Sequence, residues 1–256
     1  MKIAIITGAS SGLGQELAYL LDKKETLDEI WLIARSEETM KKMQSSMKTS
    51  VRVLAYDLTK DVSLHILQNI IQTENPAIKF FINAAGFAKI GRYNNISLTA
   101  CAAMIDLNCR SSVLLTQIVI PYMPPNSHIM EVCSTAAFQP LPYINIYAAS
   151  KTFLYHYSRA LNNELHSCNI SVTAVCPYWI KDTNFIKTAV KTPNSSYIKN
   201  FYFASHKKTI AKKALKDMIN NKAVSTPGII CTLHHFAAKF IPYEIMMCLW
   251  NFIRKF

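Results

Sequence analysis

The chain has no Cys-x-x-Cys pair, and its seven cysteines and seven histidines nowhere gather at metal-ligand spacing. A structural zinc site and a dithiol redox centre are therefore excluded, no metal-binding residue is expected, and the cysteines read as reduced thiols of a cytosolic protein. Carboxylates are scarce, 16 against 28 lysines and arginines, which leaves a net charge of +12. The excess is local, because residues 178–222 carry ten lysines against Asp182 and Asp217 and no glutamate. Such charge attracts nucleic acid, anionic lipid or phosphorylated cofactors. No arginine-rich or aromatic-interleaved motif accompanies it, so nucleic acid is not an expected partner and the segment reads as a solvated lysine-rich face.

Long apolar runs are missing as well. Met1 to Ile6 is too short for a signal-peptide core and ends in a glycine loop, so it reads as a first strand. Residues 228–256 are largely apolar, but His234, His235, Lys239, Pro242 and Glu244 interrupt them, and no clean membrane span of ~20 residues results. There is no repeat, low-complexity tract or interdomain linker. Residues 1–256 are expected to form one domain.

What is present alternates between strand-like and helix-like stretches, the pattern of a doubly wound α/β domain with helices on both faces of a parallel sheet. About seven strands are predicted, at 2–7, 30–34, 51–56, 78–83, 128–133, 171–175 and 223–225, with helices at 12–24, 37–48, 62–73, 98–122, 146–166 and 210–220. Two regions break the rhythm. An insertion after the sixth strand, 178–208, is polar and dotted with aromatics, too long for a mere connection, and is read as a substrate lid. The apolar tail, 228–256, has three readings: an interfacial membrane helix, an oligomer contact, or a lid over the substrate mouth. Its Phe252-Ile253-Arg254-Lys255-Phe256 ending joins apolar and basic side chains, as interfacial helices do.

The chemistry concentrates in a few places. Thr7-Gly8-Ala9-Ser10-Ser11-Gly12-Leu13-Gly14 follows a predicted strand and opens a predicted helix, where glycines allow a tight turn and let backbone N–H groups approach a pyrophosphate. At the end of the second strand Ala34, Arg35 and Ser36 stand where an acidic side chain would select NAD. Arg35 can instead pair with a 2′-phosphate, which favours NADP(H) over NAD(H), with Glu37 and Glu38 as competing partners. Further on, Tyr147 and Lys151 share a helix face at i and i+4, with Ser134 thirteen residues upstream of the tyrosine. A phenol of pKa ~10 is a poor acid or base near neutrality, so a nearby ammonium must favour its phenolate. With Ser134 to hold a carbonyl oxygen, the trio suits ketone–alcohol redox.

These motifs, with Asp57 after the third strand, Asn83-Ala84-Ala85-Gly86 after the fourth and Asn108 in the long helix, make the chain resemble the classical short-chain dehydrogenases/reductases over nearly its whole length. The resemblance implies a single Rossmann-type domain. It further implies that Gly8, Ser10, Ser11, Gly12, Leu13 and Gly14 hold the cofactor phosphates, with Arg35 and Ser36 at the ribose. Asp57 and Leu58 would contact adenine, and Asn83, Ala84, Ala85 and Gly86 would line the cofactor. Asn108 would support a water-linked proton relay to Lys151, Tyr147 would give its proton to the carbonyl oxygen, Ser134 would orient that oxygen, and Lys151 would tune the phenol and hold the nicotinamide ribose. One motif departs from the family: Pro-Gly-x-x-x-Thr is replaced by Pro177-Tyr178-Trp179-Ile180-Lys181-Asp182-Thr183. The threonine is displaced by one residue and Asp182 takes its place. The Pro-Tyr variant is similar to hydroxysteroid and 3-ketoacyl reductases, and keeps Pro177 and Ile180 as cofactor contacts.

For the substrate the sequence supplies Phe87, Phe138, Leu141, Pro142, Tyr143, Tyr178, Trp179, Phe185, Tyr197, Phe201, Tyr202 and Phe203, suited to a rigid lipophilic ketone; about half are expected to be structural. Phe87, Leu141, Tyr178 and Trp179, with Ser134 and Tyr147, are the expected substrate contacts. A hydroxysteroid or bile acid fits, and so does a long-chain 3-ketoacyl thioester. A non-catalytic NADP-binding sensor or scaffold is the alternative from another class. A homodimer or homotetramer, a cytoplasmic location and peripheral membrane contact through the tail complete the expectations.

Overall fold

Isoleucine-rich segments that stay buried on both faces become parallel strands, and the first of them, β1 (Lys2–Thr7), is buried from Ile3 onward. The computed structural model describes residues 1–192, 197–201 and 203–255; Tyr202, Phe256 and residues 193–196 of the expected lid lie outside that range. After β1 come α1 (Gly12–Lys24), β2 (Glu29–Ala34), α2 (Glu37–Gln44), β3 (Ser50–Ala55), α3 (Asp61–Glu74) and β4 (Ala77–Asn83). The second half contains α4 (Leu98–Ile105), α5 (Ser111–Val119), β5 (Ser127–Val132), α6 (Asn145–Glu164), β6 (Ile170–Val175), α7 (Asn184–Ala189), α8 (Lys207–Ile219), β7 (Val224–Ser225), α9 (Ile229–Phe240) and α10 (Tyr243–Ile253).

The seven strands form one parallel sheet in the order β3-β2-β1-β4-β5-β6-β7. The chain moves outward from β1 to β3 and then returns to the other side through β4, so the direction of winding reverses between β1 and β4. In such sheets ligands bind outside the carboxyl ends of the strands at that reversal. Register brings the ends together, with Thr7 opposite Asn83 and Asn83 opposite Glu131.

Helices cover both faces. α1 buries Leu13, Leu17, Ala18 and Leu21, a stripe at helical spacing, against the cluster that holds Ile6 and Leu32. Tyr147 and Lys151 ride on a similar stripe. Tyr147, Lys151, Leu154, Ser158 and Leu161 of α6 follow one another at four- and three-residue steps, all buried. The apolar lower part of that stripe packs the helix onto the sheet and so aims its polar upper end at the strand termini.

Three features differ from the sequence reading. The predicted helix 98–122 is interrupted by a π turn at Asp106–Arg110, where one extra residue is accommodated. The apolar tail is two helices, parted at Ile241 and Pro242, because proline cannot continue a hydrogen-bonded helix. The insertion contains the short α7 and is closed at its neck by an Ile180–Ser205 bridge, in which Lys181 donates its N–H to Ser205 O at 3.1 Å and Ser205 donates to Trp179 O at 2.8 Å.

Candidate active site

At the amino end of α1 three segments are stacked too closely for side chains. A Cβ on Gly14 would stand 2.6 Å from the Gly8 carbonyl oxygen, and one on Gly8 would stand 2.8 Å from Ala84 O. Gly8 and Gly12 also take positive φ, 64° and 59°. Thr7 locks the stack: its hydroxyl donates to Asn83 Oδ1 at 2.9 Å and accepts the N–H groups of Ala84 and Ala85 at 3.1 and 3.0 Å. Among the described residues the N-cap Ser11 makes no side-chain cap bond, which leaves the first-turn N–H groups of α1 without a side-chain cap, as suits a helix terminus that takes an anion. This cradle fits the pyrophosphate of a nicotinamide dinucleotide. Arg35 stands beside it on the same cavity wall. Glu37 and Glu38 do not compete for Arg35, since they pair with Lys41 and Lys42 one turn on, at 2.7 and 2.6 Å.

A cavity of about 600 Å³ runs from this loop to the carboxyl end of β5 and under the C-terminal helices. Gly8, Ser11, Gly12, Leu13, Arg35, Ala84, Ala85, Gly86, Pro177 and Ile180 line it from the expected cofactor set, and Ser134, Tyr147, Lys151, Phe87, Leu141, Tyr178 and Trp179 from the expected reaction and substrate sets. Ser10, Gly14, Ser36, Asp57, Leu58, Asn83 and Asn108 do not line it. Four of these have visible structural work. Asn83 points inward, where it accepts from Thr7 and donates to Ser112 O at 3.3 Å. Leu58 is core. Ser36 stands at the start of α2, where its hydroxyl bonds the Thr39 hydroxyl at 2.9 Å. Asp57 accepts from Thr59 N and Oγ1 at 3.0 and 2.8 Å. Burial opposes the charge of Asp57, but the Thr59 donors, Arg35 and Lys60 outweigh it and hold the carboxyl below its ordinary value.

Asn108 sits in the π turn with no exposure. Its Nδ2 donates to Phe87 O at 3.0 Å and Ser150 Oγ at 3.1 Å, and its Oδ1 accepts from Phe87 N at 3.1 Å. The asparagine therefore fixes the strand-to-cavity loop. It also faces Lys151 across Gly86, because a Cβ there would meet Asn108 Oδ1 at 3.0 Å and Lys151 Nζ at 3.3 Å.

Tyr147 and Lys151 are both buried, and the ammonium lies 5.9 Å from the phenol ring centroid. Sequence reasoning expects Lys151 to hold the phenol toward its anion. The structure differs: burial is the larger influence and pushes the phenol well above its ordinary value, with a Ser134 hydrogen bond only partly offsetting it. Lys151 Nζ donates instead to Val132 O at 2.7 Å, and burial pulls the ammonium's own pKa down. In this state Tyr147 is a protonated donor. Ser134 caps a short 3₁₀ turn, accepting from Ala136 N at 3.1 Å.

The displaced threonine does reach the site. Thr183 caps α7, lines the cavity, and its methyl would meet a Cβ on Gly12 at 3.6 Å. Asp182 turns away and accepts from Lys207 N at 2.8 Å, pinning the start of α8. Of the aromatic supply, Phe87, Leu141, Tyr178, Trp179 and Phe185 line the cavity. Others are structural: Tyr143 stacks on Tyr197 and under Arg254, Phe201 packs on Trp179, and Phe203 is exposed.

Sequence reasoning assigned no residue to the opposite wall. Ile230, Leu233, His234, Ala237 and Ile241 of and just after α9, and Met246, Leu249, Trp250 and Ile253 of α10, face the cavity. Both sets repeat at helical spacing, the one signal available beforehand. Gln139 clamps the pair, with His234 Nε2 donating to its Oε1 at 2.8 Å and its Nε2 donating to Met246 O at 3.4 Å. Trp250 Nε1 donates to Pro142 O at 3.0 Å.

The short chain dehydrogenase family model matches residues 2–194. The chain belongs to that family and is an oxidoreductase acting on CH–OH groups. Among relatives, an uncharacterized oxidoreductase of Staphylococcus epidermidis is 25% identical over 178 residues, 69% of this chain and 76% of that protein. Among solved structures, a short-chain dehydrogenase from Sphingobium yanoikuyae in complex with NADPH superposes with a TM-score of 0.79 at 23% identity, covering 96% of this chain and 95% of its own. One from Burkholderia phymatum in complex with NAD gives 0.77 at 17% identity over 93% and 94%.

Proposed function

We propose that the chain is an NADP(H)-preferring oxidoreductase that interconverts a secondary alcohol and a ketone on a rigid lipophilic substrate of the hydroxysteroid or bile-acid class. One observation carries this reading: the buried Tyr147 phenol opens onto a cavity walled by Trp179, Phe185, Leu233, Leu249 and Trp250, so its proton is delivered inside an apolar slot. When bound, the nicotinamide supplies or takes the hydride. The Gly8–Gly14 loop would hold the phosphates and Arg35 the 2′-phosphate. Ser134 would orient the substrate oxygen. In reduction the Tyr147 O–H bond would break as that oxygen takes its proton, and in oxidation the phenolate would take the proton back. Lys151 and Asn108, which face each other across Gly86, would return the proton to Tyr147.

The same reading makes residues 178–208 the substrate lid of a one-domain enzyme. It includes a homodimer, supported by exposed Ile105, Leu114 and Phe153 on α4, α5 and α6. It also includes a cytoplasmic location with peripheral membrane contact, supported by exposed Phe236, Phe240 and Ile245 on the outer faces of α9 and α10, beside Lys239 and Lys255.

The test is a spectrophotometric screen of NADPH oxidation and NADP reduction against steroids, bile acids and 3-ketoacyl compounds, run beside Tyr147→Phe. Turnover of a steroid or bile acid, lost in the variant with NADPH binding intact, is expected. Equal turnover in the variant ends the proposal, activity on thioesters alone moves the substrate to that class, and binding without turnover favours a sensor.

A further inference from the structure

Behind the catalytic pair, β5 carries a carboxyl group that the reaction leaves idle. Glu131 is fully buried. Its Oε1 accepts the Thr116 hydroxyl at 2.8 Å, while among the described residues Oε2 has no hydrogen-bond partner. A buried carboxylate with an unpaired oxygen is costly unless a positive charge stands near or the group keeps its proton. The groups that face it are the Asn83 amide on β4, directly opposite in register, Thr116 on α5, and Lys151 and Tyr157 on α6. Lys151 is the cation among them. The residue after Glu131, Val132, gives its carbonyl to Lys151 Nζ at 2.7 Å, so the ammonium is anchored to the backbone directly beside Glu131.

We infer that Glu131 is a positioning residue for the reaction, acting through Lys151: its carboxyl is the buried counter-charge that keeps the ammonium protonated when the solution turns alkaline. Burial pushes the Glu131 carboxyl up to about 8, against the pull of Thr116, Lys151 and Asn83. Burial also pulls Lys151 down, and Glu131 is among the groups, with the Cys133 thiol, that raise it back. Below about pH 8 Glu131 is neutral and adds no charge. Above it, the carboxyl gives its proton to solvent and the new negative charge holds the proton on Lys151. The pocket thus gains its anion in the pH range where alcohol oxidation, which releases a proton, is favoured.

This inference rests on the oxidoreductase reading, but its first test needs no substrate. Infrared difference spectra of the wild-type protein should show a protonated carboxyl band at about pH 7 that disappears by about pH 9.5 and is missing in Glu131→Gln. Absence of that band in the wild type overturns the inference. The second test is the pH profile of kcat for the alcohol turned over fastest in the screen. Glu131→Gln keeps the acceptor for Thr116, so it should match the wild type near pH 7 and lose about tenfold at about pH 10, its alkaline limb lying about one unit lower. KM should not move, and Glu131→Asp should restore the limb. Superimposable profiles overturn the inference. Should no alcohol or ketone be turned over, the functional reading fails while the infrared result still reports on Glu131.

Discussion

Acidification should loosen the helix pair that walls the cavity, and His234 sets the pH at which it does so. The ring is held between Gln139 and the edge of Phe138, 5.6 Å away centroid to centroid. Burial, helped by the neighbouring His235, pushes its pKa down from 6.5 to about 4. In the unfolded chain this histidine takes its proton near pH 6.5, whereas the folded chain refuses it until about pH 4. Between those values the unfolded state binds more protons, so stability is complete above about 6.5 and falls as pH falls. The full 2.5-unit window is worth roughly 3 kcal/mol, and stopping at pH 5 costs about 2 kcal/mol. Denaturant unfolding at about pH 7 and pH 5 reads this directly when the wild type is compared with His234→Gln, which cannot titrate. The wild type should lose about 2 kcal/mol more than the variant across that interval, with hydrogen exchange rising first in residues 229–253. Equal losses in the two proteins would refute the argument, because His234 is the one histidine that differs between them.

Gly14→Ala puts a methyl group against the Gly8 backbone, which has no rotamer with which to retreat. A cost of about 1–3 kcal/mol, a melting temperature lower by roughly 2–12 °C, and NADPH affinity reduced at least about tenfold are expected in calorimetry and titration. Arg35→Ala should weaken NADPH far more than NADH in fluorescence titrations; an unchanged preference removes Arg35 from the ribose site. Flotation with vesicles containing anionic lipid should carry the wild-type protein upward, and Phe236→Asp with Phe240→Asp should abolish this. Flotation unaffected by the pair of substitutions leaves the tail without a lipid role.

Much of the fold was legible because its strands are short isoleucine- and valine-rich runs, and because Thr7 to Gly14, Tyr147 and Lys151 carry chemistry at fixed spacing. The residues that escaped did so for physical reasons. Nothing in Asp106 to Arg110 resembles a breaker, since neither glycine nor proline marks a π turn. For α9 and α10 a lid over the substrate mouth was one of three readings of the apolar tail, and the sequence did not choose among them because an apolar helical face names no partner. Asn83 was read as a cofactor contact; its bonds to Thr7 and to the Ser112 carbonyl were not legible, because a residue at a strand end can point along the sheet as readily as out of it. Glu131 lies inside the predicted strand 128–133 but was assigned no role, because the depth of β5 is set by the helices packed on it. For the phenol, spacing in sequence pointed to a neighbouring ammonium that favours the anion, whereas burial, which no local spacing reveals, pulls the other way.

The π turn within the long helix has a bearing on how this chain can change. Removing one residue between Asp106 and Arg110 would let the segment close into an ordinary helix, because a π turn is where such a helix takes in one extra residue without turning its flanks. Ser111, Ser112, Thr116 and Val119 would stay inward, and the loss would fall on Asn108, whose amide reaches Phe87 and Ser150 from that turn. The extra unit is thus kept for the sake of one side chain and not for the rod as a whole.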